Sequence, residues 1–247
     1  MAVLRAELLK WRRSRVLLAV LLATAVSPGF NALLLWGAQR ASGARLQVPW
    51  FEFLAQVAMF AHLLVYPLAF AFVGTYVIAR EFQEGTASNL YALPVSRAGI
   101  LLTKVGSAAV VLLVAVVGAV PLAVIAGLPV IGRLPTLDET VRALVLHLET
   151  GLAQFLLLPV ILWLAAWARN YIVPLAAAGF FVVTNIATSF AGEDWLWIPT
   201  GIPAWTAQAS HVQELAPHVP EWWLVLTPIF VVFLALTVLW TMRTDIP

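Results

Sequence analysis

Six stretches of this 247-residue chain contain no Asp, Glu, Lys or Arg, at 16–39, 53–79, 105–132, 150–168, 170–192 and 222–242. Each reaches or nearly reaches the roughly 20 residues that a helix needs to cross a bilayer core of about 30 Å. Inside lipid every backbone N–H and C=O must find a partner within the chain, so runs this long and apolar on all faces are restricted to helices. A barrel would need short alternating segments instead. The composition points the same way: the chain is 62% hydrophobic and 11% charged, against about 45–50% and about 25% in soluble domains. These runs predict an all-α polytopic membrane protein. Its six transmembrane helices fall at about 16–38, 53–79, 105–130, 146–168, 170–191 and 222–242, in one membrane domain with no internal repeat.

The cations are unevenly placed. Ten of the 14 Lys and Arg residues, among them Arg15, Arg80, Arg97, Lys104, Arg169 and Arg243, fall on one side of a six-span arrangement, and Arg40, Arg45, Arg133 and Arg142 on the other. The basic side is expected to be cytoplasmic, which puts both termini inside a multi-pass protein of the cytoplasmic (inner) membrane. This is a topology signal, and nucleic-acid binding is not needed to explain it. The 11 tryptophans fall near predicted span ends, where indoles prefer to sit. Residues 1–15 are basic and amphipathic, and the pattern predicts an interfacial helix on the inner surface. A cleaved signal peptide fits less well, because the apolar run that follows is too long and contains Pro28. The absence of cysteine removes disulfides, thiolate metal sites and thiol nucleophiles.

One polar insert between spans stands out. It runs Arg80-Glu81-Phe82-Gln83-Glu84-Gly85-Thr86 and continues through Leu93-Pro94-Val95-Ser96-Arg97 to Lys104. Phe82, Thr86, Leu90 and Leu93 fall at helical spacings on one face, with Glu81, Glu84 and Ser88 on another. Pro94 ends the pattern. The spacing predicts a short amphipathic helix over 81–93 lying where two spans leave the bilayer. Arg80 and Lys104 mark the inner span ends, Gly85 permits close approach of another backbone, and Glu81, Glu84 and Arg97 are placed to meet a partner's charges.

Elsewhere the polar residues read mostly as structural. His62 is alone in the second span, with no second ligand at helical spacing. His147 and Glu149 invite a proton-relay reading, set against the simpler one that both face the outer headgroups. Thr184 and Asn185 are placed to hydrogen-bond across helices. Residues 192–221 hold four acids and no Lys or Arg, with Trp195, Trp197, Pro199, Gly201, Pro203 and Trp205 close together. Proline and glycine break the chain between the tryptophans. A second short helix is expected over 206–215, with the segment dipping into the interface as an outer gate. The rival reading is a surface loop anchored by its indoles.

No Gly-x-Ser-x-Gly, His-Glu-x-x-His or phosphate-loop pattern occurs, so the chain is read as non-enzymatic, holding no cofactor of its own. The insert 80–86 with Leu93-Pro94-Val95-Ser96-Arg97 and Lys104 resembles the cytoplasmic signature of ABC-2 type transporter permeases. The basic start and six spans in about 250 residues extend the likeness over the whole chain. It is nearest to the small permeases of bacitracin and lantibiotic export or immunity systems. The resemblance implies a permease that dimerises, as homodimer or heterodimer, and binds a cytoplasmic ATPase subunit that carries ATP and Mg. It implies that 81–93 is the coupling helix and that the segment between spans five and six forms outer gate helices. With an apolar lining, the cargo is expected to be an amphiphilic peptide, lipid or drug, and membrane lipid is the other partner. Two other classes compete. One is a non-transporting membrane anchor or sensor that recruits a cytoplasmic protein through the same helix. The other is an intramembrane enzyme built on His62, His147 and Glu149.

Overall fold

The computed structural model describes Leu9, Trp11, residues 14–87, Leu90 and residues 95–243. Among these, six helical stretches are long and apolar enough to cross a membrane. They comprise α1 (Val16–Ser42), α2 (Trp50–Phe60) joined through one wide turn, Ala61–Val65, to α3 (Tyr66–Gln83), α4 (Arg97–Ile131), α5 (Leu137–Leu156) running almost directly into α6 (Leu158–Ala168), α7 (Ile172–Ala191) and α9 (Trp222–Arg243). A short helix, α8 (Ile202–Ala209), lies between the last two. The protein is therefore an all-α polytopic membrane protein.

Several helices outrun the charge-free stretches. The 35 residues of α4 extend about 52 Å at 1.5 Å per residue, well beyond a hydrocarbon core of about 30 Å. Its first turns therefore carry Arg97 and Lys104. Likewise α5 starts at Leu137, capped by Thr136, whose hydroxyl accepts the Glu139 amide at 3.2 Å while the Glu139 carboxylate accepts the Thr136 amide at 2.8 Å.

The wide turn in the second span follows from Pro67. A proline lacks the N–H that would bond the carbonyl four residues back, here that of Leu63. The helix widens, with the Tyr66 amide reaching back to Ala61 O. The Leu63 carbonyl instead accepts the side-chain amide of Asn185 from α7 at 3.4 Å. A sequence-level expectation, that Asn185 bonds across helices, is met here by a specific backbone partner. Thr184 bonds across to Thr200 at 3.2 Å.

The largest buried cluster joins α1, α3, α4 and α6 around Tyr66, Phe70, Leu112 and Leu162. A second, around Trp50, Phe53 and Leu54, joins α1, α2, α4 and α5. Small residues let these helices close up. A Cβ on Gly127 would lie 2.7–2.9 Å from the Phe53 and Trp50 rings. By contrast α9 buries only Leu226 and Thr237 among its described side chains, and α7 little more. These two spans present most of their apolar surface outward.

Candidate functional site

The end of the bundle that carries Arg15, Arg80, Arg97, Lys104, Arg169 and Arg243 is called the basic end below. Here the polar insert takes a form that differs from one continuous helix over 81–93. Arg80, Glu81 and Phe82 are the last turns of α3, whose helix stops at Gln83. Gly85 adopts φ +66, its amide bonds Phe82 O at 3.3 Å, and the Thr86 amide bonds Glu81 O at 2.9 Å. This paired pattern closes a helix on a left-handed residue. Gly85 is thus explained by its backbone angle, because an added Cβ there would meet nothing within 4 Å. Beyond it Ala87 and Leu90 are helical, with the Leu90 amide on Thr86 O at 3.1 Å. Leu93 and Pro94 lie outside the described residues.

The predicted charges are spent inside the chain and are not left free for a partner. Lys104 and Glu81 form a buried ion pair, Nζ to Oε1 at 3.1 Å. The same ammonium donates to Val77 O at 2.7 Å, and the Thr86 hydroxyl donates to Glu81 Oε2 at 2.6 Å. A charge pair out of water survives only with such further bonds. Arg80 pairs with Glu84 at 2.8 Å and donates to the Tyr76 hydroxyl at 2.5 Å. Arg97 donates to Thr241 O at 3.0 Å, fastening the start of α4 to the end of α9. Gln83 donates to Arg169 O at 3.1 Å, and the Arg169 guanidinium lies 5.3 Å from the centre of the Phe82 ring. The hairpin between α6 and α7 is tight because Arg169 accepts φ +52 and Asn170 Oδ1 receives the Ile172 and Val173 amides. Burial, reinforced by the nearby Tyr76, pushes the Tyr171 hydroxyl above its ordinary pKa, so it stays neutral beside this cluster. Trp11 packs on Tyr76 with ring centres 5.1 Å apart.

Of the insert residues drawn from the sequence, Glu81, Thr86 and Lys104 converge on each other and Arg80 on Glu84, whereas Arg97 and Phe82 meet Thr241 and Arg169. The sequence reasoning missed Tyr76, Gln83, Arg169 and Thr241. Tyr76 stands one turn from Arg80 and was legible. The Gln83 and Arg97 bonds run to backbone carbonyls far away in sequence, for which no local signal exists.

At the opposite end the residues 195–205 separate into two groups. Trp195 and Trp197 are exposed, while Gly201, Pro203 and Trp205 are buried. The short helix begins earlier than expected, at Ile202, and ends at Ala209. Pro203 starts it and does not break it, since a first-turn proline has no N–H to lose. The Trp205 ring lies against Gly201, where a Cβ would sit 2.6 Å from the indole nitrogen. His147 and Glu149 do not form a pair. His147 is buried with Nδ1 2.9 Å from Ala143 O, whereas exposed Glu149 accepts the Trp222 indole N–H at 3.0 Å. His62 meets Gln154 at 3.3 Å. Among the described residues no group of three or more His, Cys, Asp or Glu is placed to hold a metal.

A bundle of six apolar spans fastened at one end by charges and without a catalytic constellation among the described residues defines an integral membrane protein of the permease type. Residues 3–185 match the family described as ABC-2 family transporter protein, and the chain belongs to that family. Its permeases work with a separate ATPase subunit. The match covers the first four spans and the basic end except its α9 part, and it ends within α7, before α8 and α9. No curated protein matches the chain.

Proposed function

We propose that the chain is the membrane-spanning permease subunit of an ATP-binding-cassette exporter, one membrane domain in the cytoplasmic membrane with both termini inside. It moves an amphiphilic peptide, lipid or drug using ATP hydrolysed on a partner chain, in the manner of the small bacitracin and lantibiotic permeases that it resembles. The observation that carries this reading is the bonded cluster at the basic end. A part that passes force from an ATPase to spans must not bend independently of them. Here the Gly85 turn is bonded to α3, α3 to α4 through Glu81–Lys104, α3 to the α6–α7 hairpin through Gln83, and α4 to α9 through Arg97. A push at the Gly85 turn reaches the ends of five helices without a flexible link. The Gly85 turn itself is exposed, with open space where a partner's backbone fits.

The outward-facing surfaces of α7 and α9 supply an apolar face for a second permease chain. The segment 193–210 caps the far end of the bundle, where Trp195 and Trp197 reach the interface and α8 fills the space between α2 and α5, as an outer gate would. Because Ala207 is fully buried, state-dependent labelling is read from a cysteine at exposed Ser210. Equal labelling with the ATPase trapped in nucleotide and without it removes the segment from the mechanism.

The coupling test compares Gly85→Trp with Gly85→Ala. Both carry the same left-handed backbone cost, but only tryptophan fills the approach. The expected result is that Gly85→Ala keeps the copurified ATPase and its stimulation by substrate while Gly85→Trp loses both. Equal ATPase capture and transport in the two variants overturns the assignment. Capture without any substrate stimulation in the parent chain makes this an anchor and not a transporter.

A further inference from the structure

At the end opposite the basic one, a cavity of about 320 Å³ opens between α1, α2 and the chain just after α8. Its walls are apolar: Leu34, Leu35, Val48 and Phe53. Four polar side chains also face it: Asn31, Glu52, Gln56 and His211. Each of the four keeps at least one polar atom that bonds nothing else among the described residues, and all four line one cavity. Asn31 is buried and donates its amide N–H to Ser27 O at 2.9 Å, but its Oδ1 makes no bond among the described residues. His211 Nδ1 is buried and has no partner among the described residues. Glu52, exposed at the mouth, and half-buried Gln56 make no side-chain hydrogen bond or ion pair among the described residues. Buried polar groups are normally satisfied, and the spare buried acceptors of Asn31 and His211, on the same cavity as two unbonded acceptors at its mouth, point to a ligand.

The chemistry of that ligand follows from the charge. Glu52 is in the first turn of α2, where an acid commonly offsets the helix dipole. That role is already filled: Glu139 Oε1 accepts the Trp50 amide at 3.2 Å and is itself held by Arg133 at 2.7 Å. Glu52 is a surplus negative charge, and no Lys or Arg lines the cavity. The unspent oxygens of Glu52, Gln56 and Asn31 all accept N–H donors, and a neutral imidazole presents a ring-nitrogen lone pair as a fourth acceptor. We infer that this cavity binds an amphiphile whose head is a primary ammonium. The N–H groups bond Glu52, Gln56 and Asn31, and the chain lies along Leu34, Leu35 and Phe53. A quaternary ammonium has the charge but no N–H to donate, and an anionic head is repelled by Glu52. The inference rests on this cavity alone and stands whether or not the chain is an exporter.

The test uses the full chain without any ATPase, in phosphatidylcholine nanodiscs. The probe is a dodecylammonium carrying a diazirine on its chain, compared with the same chain ending in trimethylammonium or sulfate, and adducts are mapped by mass spectrometry. Saturable labelling within 31–56 or at His211 is expected for the primary ammonium alone, and Glu52→Gln raises its half-saturation by about tenfold, the size of one charge-assisted bond. Leu34→Trp, on a half-exposed wall position, fills the cavity without touching its polar groups and abolishes the labelling. Equal labelling by all three heads, or half-saturation unmoved by Glu52→Gln, or labelling that survives Leu34→Trp, overturns the inference. Replacing a third of the lipid by phosphatidylethanolamine separates the two sources of such a head: loss of probe labelling names the membrane lipid, and unchanged labelling names a free amphiphile.

Discussion

Removing one member of the Lys104–Glu81 pair is the sharpest perturbation that the structure offers. The two side chains are only 3% and 9% exposed, so water cannot replace the lost partner. Lys104→Met leaves the Glu81 carboxylate buried without its lysine and also strips Val77 O of its 2.7 Å donor. Breaking a buried pair in this way costs about 3–5 kcal/mol. Removing both charges is far milder, because an apolar pair of similar volume carries no desolvation penalty. Glu81→Leu with Lys104→Met is therefore expected to recover most of the loss, although Thr86 loses its 2.6 Å acceptor. The measurement is unfolding in mixed micelles under a dodecyl sulfate titration, followed by tryptophan fluorescence, on both single variants and the double. The coupling energy from the cycle reports the pair directly. Single variants within about 1 kcal/mol of the parent, or a double variant as unstable as the sum of the singles, would show that the pair is hydrated or absent and refute the reasoning.

Gly85→Ala is expected to cost about 1–2 kcal/mol in the same assay, because a Cβ is disfavoured at φ +66. Gly37→Ala, in open space with no positive φ, serves as the comparison and should not destabilise. Gly127→Ala is expected to lose about 1–3 kcal/mol through the clash with Trp50 and Phe53, and to regain part of it when Phe53 is shortened to Leu. A loss unaffected by Phe53→Leu would place the strain elsewhere. For sidedness, cysteines at Ser42 and Val95, both exposed, are introduced into a chain without native cysteine. Impermeant reagent applied outside intact cells should label the first and not the second, and the reverse pattern would invert the proposed topology.

The class of the protein was decided by composition. Charge-free runs of bilayer length have one solution for their backbone polar groups, and that solution is local, so the six spans are readable without knowing what packs on what. The sequence also carried the family likeness, through a short run of residues near Arg80. It could not tell where helices stop when they outrun the membrane. Thus α4 reaches back to Arg97, and Glu81 belongs to a span, because a long helix can carry a buried charge only if a distant residue, here Lys104, neutralises it. A proline such as Pro67 frees a carbonyl one turn back wherever it sits within a helix, but that the Leu63 carbonyl would be taken by Asn185 depends on which helix lies alongside. Gly85 and Pro203 show the same division. Their residue types announce a turn and a helix boundary, while the φ angle and the surrounding space decide what each does. Glu52 and Gln56 share a helix face one turn apart, but Asn31 and His211 lie far from them and from each other in sequence, and only the packing of α1 on α2 with the chain after α8 brings the four around one cavity.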